Sequence, residues 1–348
     1  MRVALYDDPL FLEHDAGPGH PERPERLVAL REGIRRAGLG SRLVARAPRD
    51  ATRDELLRVH AADHVDAVAA TAGRTVRFDP DTQAGPRSYA AALRAAGAVI
   101  DAVDRVLDGD LDRAFCLVRP PGHHAEASRA MGFCLFNNVA LGAAHALARG
   151  LARVIVIDFD VHHGNGTQHS FERDRRVLYV SSHAYPFYPG TGSLGEVGKD
   201  DGRGFTVNLP LPPGMGDGEY ARIYRELVEP IGRAFDPEIV LVSAGFDAWG
   251  GDPLAPMALT ARGYAELGEA CLAVAGGAAR GRAVFVLEGG YDLGGLAASG
   301  AALSRTLLGE SGPRVEAAGA PIDPLIREYR RVLAPLWPVL DGGHPVRG

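Results

Sequence analysis

Five short runs of Val, Ile, Leu and Phe punctuate the chain: AFCLV (114–118), RVIVIDF (153–159), VLYVSS (177–182), IVLVSA (239–244) and AVFVLE (283–288). They are apolar almost throughout rather than alternating, the pattern of strands covered on both faces. Longer stretches rich in Ala, Leu and Arg at helical spacing separate them, at 24–38, 87–107, 137–149, 217–234 and 260–279. MRVALY adds a strand at the start. Strands alternating with helices in this way predict an α/β fold, a mostly parallel multi-stranded sheet with helices on both faces. No linker or internal repeat divides the middle, so one domain is expected over 1–310. The segment 311–348, with several prolines and a polar close, is expected to pack loosely on it or fray. Residues 183–216, rich in Gly and Pro, predict a long irregular loop, and loops of that length are often functional.

Bulk properties narrow the field. With 46% hydrophobic and 24% charged residues, the 348-residue chain has ample material for a core. A formal net charge of −6 gives no attraction for nucleic acid or anionic lipid, and no basic patch offsets it. Cys116, Cys134 and Cys271 form no CxxC pair and are odd in number, which argues against disulfides or a thiolate zinc knuckle. MRVALYDDPLF places acids where a signal peptide needs an apolar core, and no run reaches the roughly 18–20 residues of a membrane span. A cytoplasmic location is expected.

The chemistry lies in the segments just after the strands: RPPGHHAE, DFDVHHGNG, SSHAYPFYPGTG, SAGFDAWGGDP and EGGYDLGG. In an open parallel sheet the carboxyl ends of the strands share one edge, where such folds bind ligands. Taken singly, each tail has an ordinary structural reading, as a turn, a cap or a hydrogen-bonded histidine pair. Their joint occurrence after several strands is what points to a site. Asp160 and His162 are two apart, so an extended chain projects both to the same side. Carboxylate with imidazole favours zinc or a similar first-row ion. A catalytic zinc needs a third ligand, and Asp247 is the candidate, with capping of its own turn as the other reading. His123 and His124 can move protons, Asp158 and Asn165 can set imidazole tautomers, and Tyr291 can donate to an oxyanion.

In order, RPPGHHAE, MGFCLFNN, DFDVHHGNGTQ, PGTG, SAGFDAWGGDPL and EGGYD resemble the zinc-dependent histone deacetylase family, closest to its class II branch and related bacterial amidohydrolases, from about HPERPERL (20–27) to EGGY (288–291). The resemblance implies an arginase/deacetylase-like fold, with 1–310 as the catalytic domain. It implies one zinc per subunit on Asp160, His162 and Asp247, with His124 as general base and acid and His123, paired with Asp158, as its electrostatic partner. Asn165 matches the class II residue where class I members carry aspartate, and Tyr291 matches the transition-state tyrosine. A tunnel for an acyl-lysine stem would be built from Gly132, Phe133, Tyr188 and Leu254. A structural potassium ion would be held by carbonyls of Asp158, Asp160, His162 and Ser182, with the Asp158 carboxylate and the Ser181 hydroxyl.

The implied partner is an acylated lysine side chain or acylated small amine, with neither nucleic acid nor membrane involved. The acidic gatekeeper of polyamine-selective relatives is matched by Leu254, although Asp79 or Asp81 could supply an acid at the rim. Arg26 resembles an arginine lining an acetate-release path and reads equally well as a residue on a surface helix. Cys134 reads as buried packing, and His183 resembles a residue behind the metal ligands. Two rivals remain: a two-metal arginase-like hydrolase, and an inactive acyl-lysine reader.

Overall fold

The computed structural model describes residues 1–342; the last part of the polar close, 343–348, lies outside the described residues. Its strands are β1 Val3–Tyr6, β2 Val44–Arg46, β3 Val76–Arg77, β4 Gln83–Ala84, β5 Arg113–Cys116, β6 Val154–Asp158, β7 Val177–Ala184, β8 Thr206–Leu211, β9 Ile239–Ala244 and β10 Ala283–Leu287. The helices are α1 Glu25–Arg36, α2 Arg53–Leu56, α3 Ala62–Ala69, α4 Ser88–Leu107, α5 Asn138–Ala148, α6 Asn165–Phe171, α7 Asp217–Ile223, α8 Glu229–Phe235, α9 Ala261–Val274, α10 Leu293–Leu307 and α11 Asp323–Leu333. Eight strands form one sheet in the order β2-β1-β5-β10-β9-β6-β7-β8, every neighbouring pair parallel. β3 and β4 form a separate small hairpin.

The apolar runs became the middle of the sheet. Every residue of β6, β9 and β10 is buried, as a parallel sheet flanked by helices requires. Register then lines up the strand ends. Asp158 at the end of β6 lies opposite Ser181 of β7 and Ser243 of β9, and Leu287 of β10 lies opposite Ala244. The chain segments leaving these strands therefore emerge side by side along one edge.

Three expectations need correction. The stretch 183–216 is not irregular throughout, because it holds the last residues of β7 and all of β8. Asn208 and Pro210 obscured that strand, and proline is tolerated there because β8 is at the sheet's edge. The helix expected over 260–279 stops at Val274, ahead of Gly276 and Gly277. The helix expected over 217–234 widens to a π-turn at Tyr224–Val228, just before Pro230, whose missing N–H breaks the regular ladder. Beyond Leu307, α11 buries Ile326, Tyr329 and Leu333, and the Tyr329 hydroxyl donates to the Pro210 carbonyl at 2.7 Å, beside the edge strand.

Arg26 is not on a surface helix face: it is fully buried in α1. Its guanidinium donates to Glu22 at 3.0 Å and to the Gly290 carbonyl at 2.6 Å. Arg119, equally buried, donates to Glu22 at 2.8 Å and to the Phe11 carbonyl at 2.7 Å. Burial alone would raise the Glu22 pKa, but Arg119 and His14 hold its carboxyl well below the usual carboxylate range. Glu22→Gln leaves two buried guanidinium groups short of their counter-charge and is expected to cost about 3–5 kcal/mol in denaturant unfolding at pH 7. Because the folded pKa is depressed, this stabilisation is complete above the ordinary carboxylate range and is lost as pH falls through the lower folded value. The gap between wild type and variant should close on acidification. A variant as stable as wild type at pH 7 would show that the cluster contributes little.

Candidate active site

The turn between β6 and α6 carries the densest chemistry. Asp158 ends the strand, its Oδ1 accepts the Asp160 N–H at 3.1 Å, and Asp160 Oδ1 accepts the His162 N–H at 2.9 Å. Asp247, from the segment after β9, reaches across to accept the Val161 N–H at 2.9 Å. It thus bridges to the β6 turn instead of capping its own. His162 Nδ1 lies 3.2 Å from Asp160 Oδ1 and 3.1 Å from Asp247 Oδ2. One ligand atom from each of Asp160, His162 and Asp247 lies within 4.8 Å of the others, and all three residues are buried.

This trio fits a divalent metal. Burial works against a charged imidazole, yet the two carboxylates pull His162 up to about 10, the mark of a cradle with more negative charge than its own side chains balance. Gly289 leaves the room: a Cβ there would come within 2.1 Å of Asp247 Oδ2 and 2.7 Å of Asp160 Oδ2. Its N–H instead donates to Asp160 Oδ2 at 2.8 Å.

The two adjacent histidines have opposite environments. His123 Nδ1 lies 3.0 Å from Asp158 Oδ2, which also accepts the Tyr179 hydroxyl at 3.1 Å. Burial disfavours its charged form, but Asp158 and Asp160 raise it to about 10. His124 faces the amide of Asn165, Nδ1 to Oδ1 2.8 Å. Burial, reinforced by His123 and His162, holds His124 well below the usual histidine value. One imidazole is therefore kept charged and its neighbour neutral, the separation that divides electrostatic and proton-transfer roles. Their loop is held from below by Glu288 Oε2, which accepts the Gly122 N–H at 2.6 Å and the His123 N–H at 3.2 Å.

Above the trio a narrow pocket is lined by His123, His124 and His162, by Gly132, Phe133 and Tyr188, and by Asp81, Pro121, Leu254, Gly289 and Tyr291. Gly132 has φ 57°, and a Cβ on it would meet the His124 ring at 2.4 Å, so the wall and the imidazole touch only because no side chain intervenes. Phe133 also sits in the left-handed region, φ 70°, a strain of about 1–3 kcal/mol for such a residue. It is kept there by the Thr82 hydroxyl, which accepts its N–H at 3.2 Å, and by edge contacts with His20 and Tyr291. Tyr188 meets the His124 ring edge-on at 5.1 Å and is 38% exposed, which puts it at the pocket's opening.

Tyr291 is fixed through its backbone. Asp252 Oδ2 accepts the N–H groups of Tyr291 at 2.6 Å and Asp292 at 3.1 Å, and the Arg26 guanidinium lies 5.0 Å from the ring centroid. Burial keeps the phenol protonated, well above its usual range.

Apart from Asp81, the remaining candidates lie away from the pocket. Asp79 caps its own turn, accepting the N–H groups of Asp81 and Thr82, so of the two rim acids only Asp81 faces the pocket. The Ser181 hydroxyl is shared with His183 Nδ1 at 2.8 Å, and Ser182 with the Tyr224 hydroxyl at 2.8 Å. His183 Nε2 reaches the Gly192 carbonyl at 2.8 Å and ties down the loop after β7. Cys134 is fully buried, and burial pushes its thiol well up. Sequence reasoning passed over Asp252, Glu288 and Glu126, although each stands inside a quoted motif, GGDP, EGGY or GHHAE. An acid inside a motif that already carries a functional residue was the signal that could have found them.

The eight-stranded parallel sheet flanked by helices is the arginase/deacetylase-like fold, and the buried Asp160, His162 and Asp247 trio lies at its carboxyl edge. The chain belongs to the histone deacetylase domain family, whose family model matches residues 20–307. It is 43% identical over 298 residues to histone deacetylase 15 of Arabidopsis thaliana, covering 84% of this chain and 53% of that protein. It is 41% identical over 340 residues to the polyamine deacetylase HDAC10 of Homo sapiens, covering 92% of this chain and 50% of that protein. The chain thus spans about half the length of both relatives. The crystal structure of the HDA15 HD domain superimposes with a TM-score of 0.91 at 39% identity, over 98% of this chain and 96% of that one. Among the described residues no helix is long and apolar enough to cross a membrane.

Proposed function

We propose that the chain removes acetyl or other short acyl groups from the ε-amine of lysine, or from a similar alkylamine, by zinc-dependent amide hydrolysis. The observation that carries this reading is the buried Asp160, His162 and Asp247 trio beside a pocket that also presents a neutral histidine and a protonated tyrosine. When bound, zinc would polarise the acyl carbonyl and acidify a water molecule. The potassium ion implied by the family resemblance, near Asp158, Ser181 and Ser182, is part of the same proposal.

The chain's own residues do the rest. Gly132, Phe133 and Tyr188 would flank the aliphatic stem through apolar contact, with the amide at the pocket's base. With Nδ1–H donated to Asn165, the His124 Nε2 lone pair is free to take a proton from the attacking water and then return it to the departing amine nitrogen. His123, charged and held by Asp158, would stabilise the negative charge that develops. The Tyr291 hydroxyl would donate to the oxyanion.

Acyl-lysine is favoured over a polyamine because Leu254 contributes an apolar side chain to the pocket. Asp81 favours the second reading, an acetylpolyamine substrate, since among the described residues it is the one carboxylate on the pocket wall and could meet a distal ammonium. A panel of acetyl- and longer acyl-lysine peptides and acetylated polyamines, assayed with zinc-loaded and chelated protein, tests both. Acetyl-lysine cleavage that stops on chelation supports the first reading, and preference for acetylated polyamines supports the second. Release of acetate from none of them would argue instead for an inactive acyl-lysine reader.

A further inference from the structure

We infer that Glu126 is a positioning residue: its carboxylate sets the orientation of the Asn165 amide and so holds His124 as the tautomer that leaves Nε2 free. The inference rests on reading His124 as the base. The amide oxygen of Asn165 lies 2.8 Å from His124 Nδ1, while its nitrogen donates to Glu126 Oε1 at 2.5 Å. The two ends of a carboxamide are nearly the same size, so shape alone does not choose between them. Rotated by half a turn, Asn165 would present NH2 to His124 Nδ1, which would then have to accept. The imidazole proton would move to Nε2, and the nitrogen facing the pocket would have no lone pair with which to act as a base.

Glu126 penalises that rotation, since an ionised carboxylate only accepts, and the rotated amide would bring oxygen against oxygen. Another acceptor for the amide nitrogen, the His124 carbonyl, is longer at 3.3 Å. Glu126 is held in turn from its far side by His169, whose Nδ1 lies 2.8 and 3.0 Å from the two carboxylate oxygens. Burial would raise the Glu126 pKa, but His169 and Asn165 together keep it low, so the carboxylate stays an acceptor. An aspartate at position 165 would need no such partner, because it offers an oxygen to His124 in either orientation.

Four variants test this: Glu126→Ala, Glu126→Gln, Asn165→Asp and the exchanged pair Glu126→Gln with Asn165→Asp. On an acetyl-lysine peptide, Glu126→Ala is expected to lower kcat by about 10- to 100-fold, the range for losing a group that orients a functional histidine, with KM little changed. Asn165→Asp alone sets two carboxylates against each other and should lose a similar factor. In the exchanged pair the glutamine NH2 can donate to the carboxylate introduced at position 165, whose other oxygen accepts from His124, and kcat should recover above Asn165→Asp alone. A loss in the pair that is simply the product of the Glu126→Gln and Asn165→Asp losses would overturn the inference.

A second readout needs no turnover. The 15N resonances of the His124 imidazole, identified by their absence in His124→Ala, should report Nδ1–H in the wild type. In Glu126→Ala, shown to be folded by its melting curve, they should shift towards Nε2–H. An unchanged tautomer in that folded variant would also overturn it. A protein that shows the tautomer shift but cleaves no acyl amine would leave the inference standing and remove only the proposed function.

Discussion

Tyr291→Phe is expected to lower kcat on an acetyl-lysine substrate by about 100-fold or more, the cost of one lost oxyanion donor, with KM and melting temperature nearly unchanged. The split stems from how the residue is held. Its position depends on the backbone N–H groups of Tyr291 and Asp292 on Asp252, on the guanidinium of Arg26 beside its ring, and on the edge contact with Phe133. None of these involves the hydroxyl. Phenylalanine keeps all of them, so the variant subtracts the donor and little else. A drop confined to kcat would place the hydroxyl's interaction in the transition state rather than the bound substrate. Turnover close to wild type would remove Tyr291 from the mechanism.

Asp247→Asn should have the larger effect, because it strikes the cradle itself. Two of three ligands would remain, and zinc content is expected to fall from about one per chain to near zero. Activity should fall with it, on the order of 10³-fold or more, since carbonyl polarisation and water activation are each worth several kcal/mol. The fold should survive. Asparagine retains an oxygen for the Val161 N–H and removes one of two buried carboxylates that face each other across His162. A stability readout separates these effects without any assay: zinc at about 1,000 times its Kd should stabilise wild type by roughly 4 kcal/mol and leave the variant almost unmoved. Wild-type protein that works equally well after complete metal removal would end the zinc reading. A content near two ions per chain would instead revive the two-metal, arginase-like alternative.

The readable part of the fold was its centre. β6, β9 and β10 are buried at every position, so their sequences are apolar runs that admit few other readings. The same reasoning failed at the edges. β2 is three residues long and largely exposed, and β8 carries Asn208 and Pro210, so neither had the composition that marks a buried strand. For the site, Asp160 and His162 were legible together because their spacing is local and projects both side chains one way. Asp247 was ambiguous by sequence alone, since an acid after a strand is as often a cap. Arg26 was ambiguous for a different reason. A helical position next to other charged residues reads as surface unless one knows that Glu22 and the Gly290 carbonyl lie across it.

By itself, then, the sequence determined the central strands and the long helices between them, that the chemistry gathers at the carboxyl ends of parallel strands, and which residue types gather there. Those properties arise from short-range periodicity and from the direction a strand must run when it is joined by helical crossovers. Only the tertiary structure decided that the Asp247 carboxylate crosses to the β6 turn, that Asp252 grips the Tyr291 backbone, and that Glu126 faces the Asn165 amide. Each joins residues 39 or more positions apart in the chain, and such pairings are set by strand register and by loops packing against one another, which no local pattern encodes.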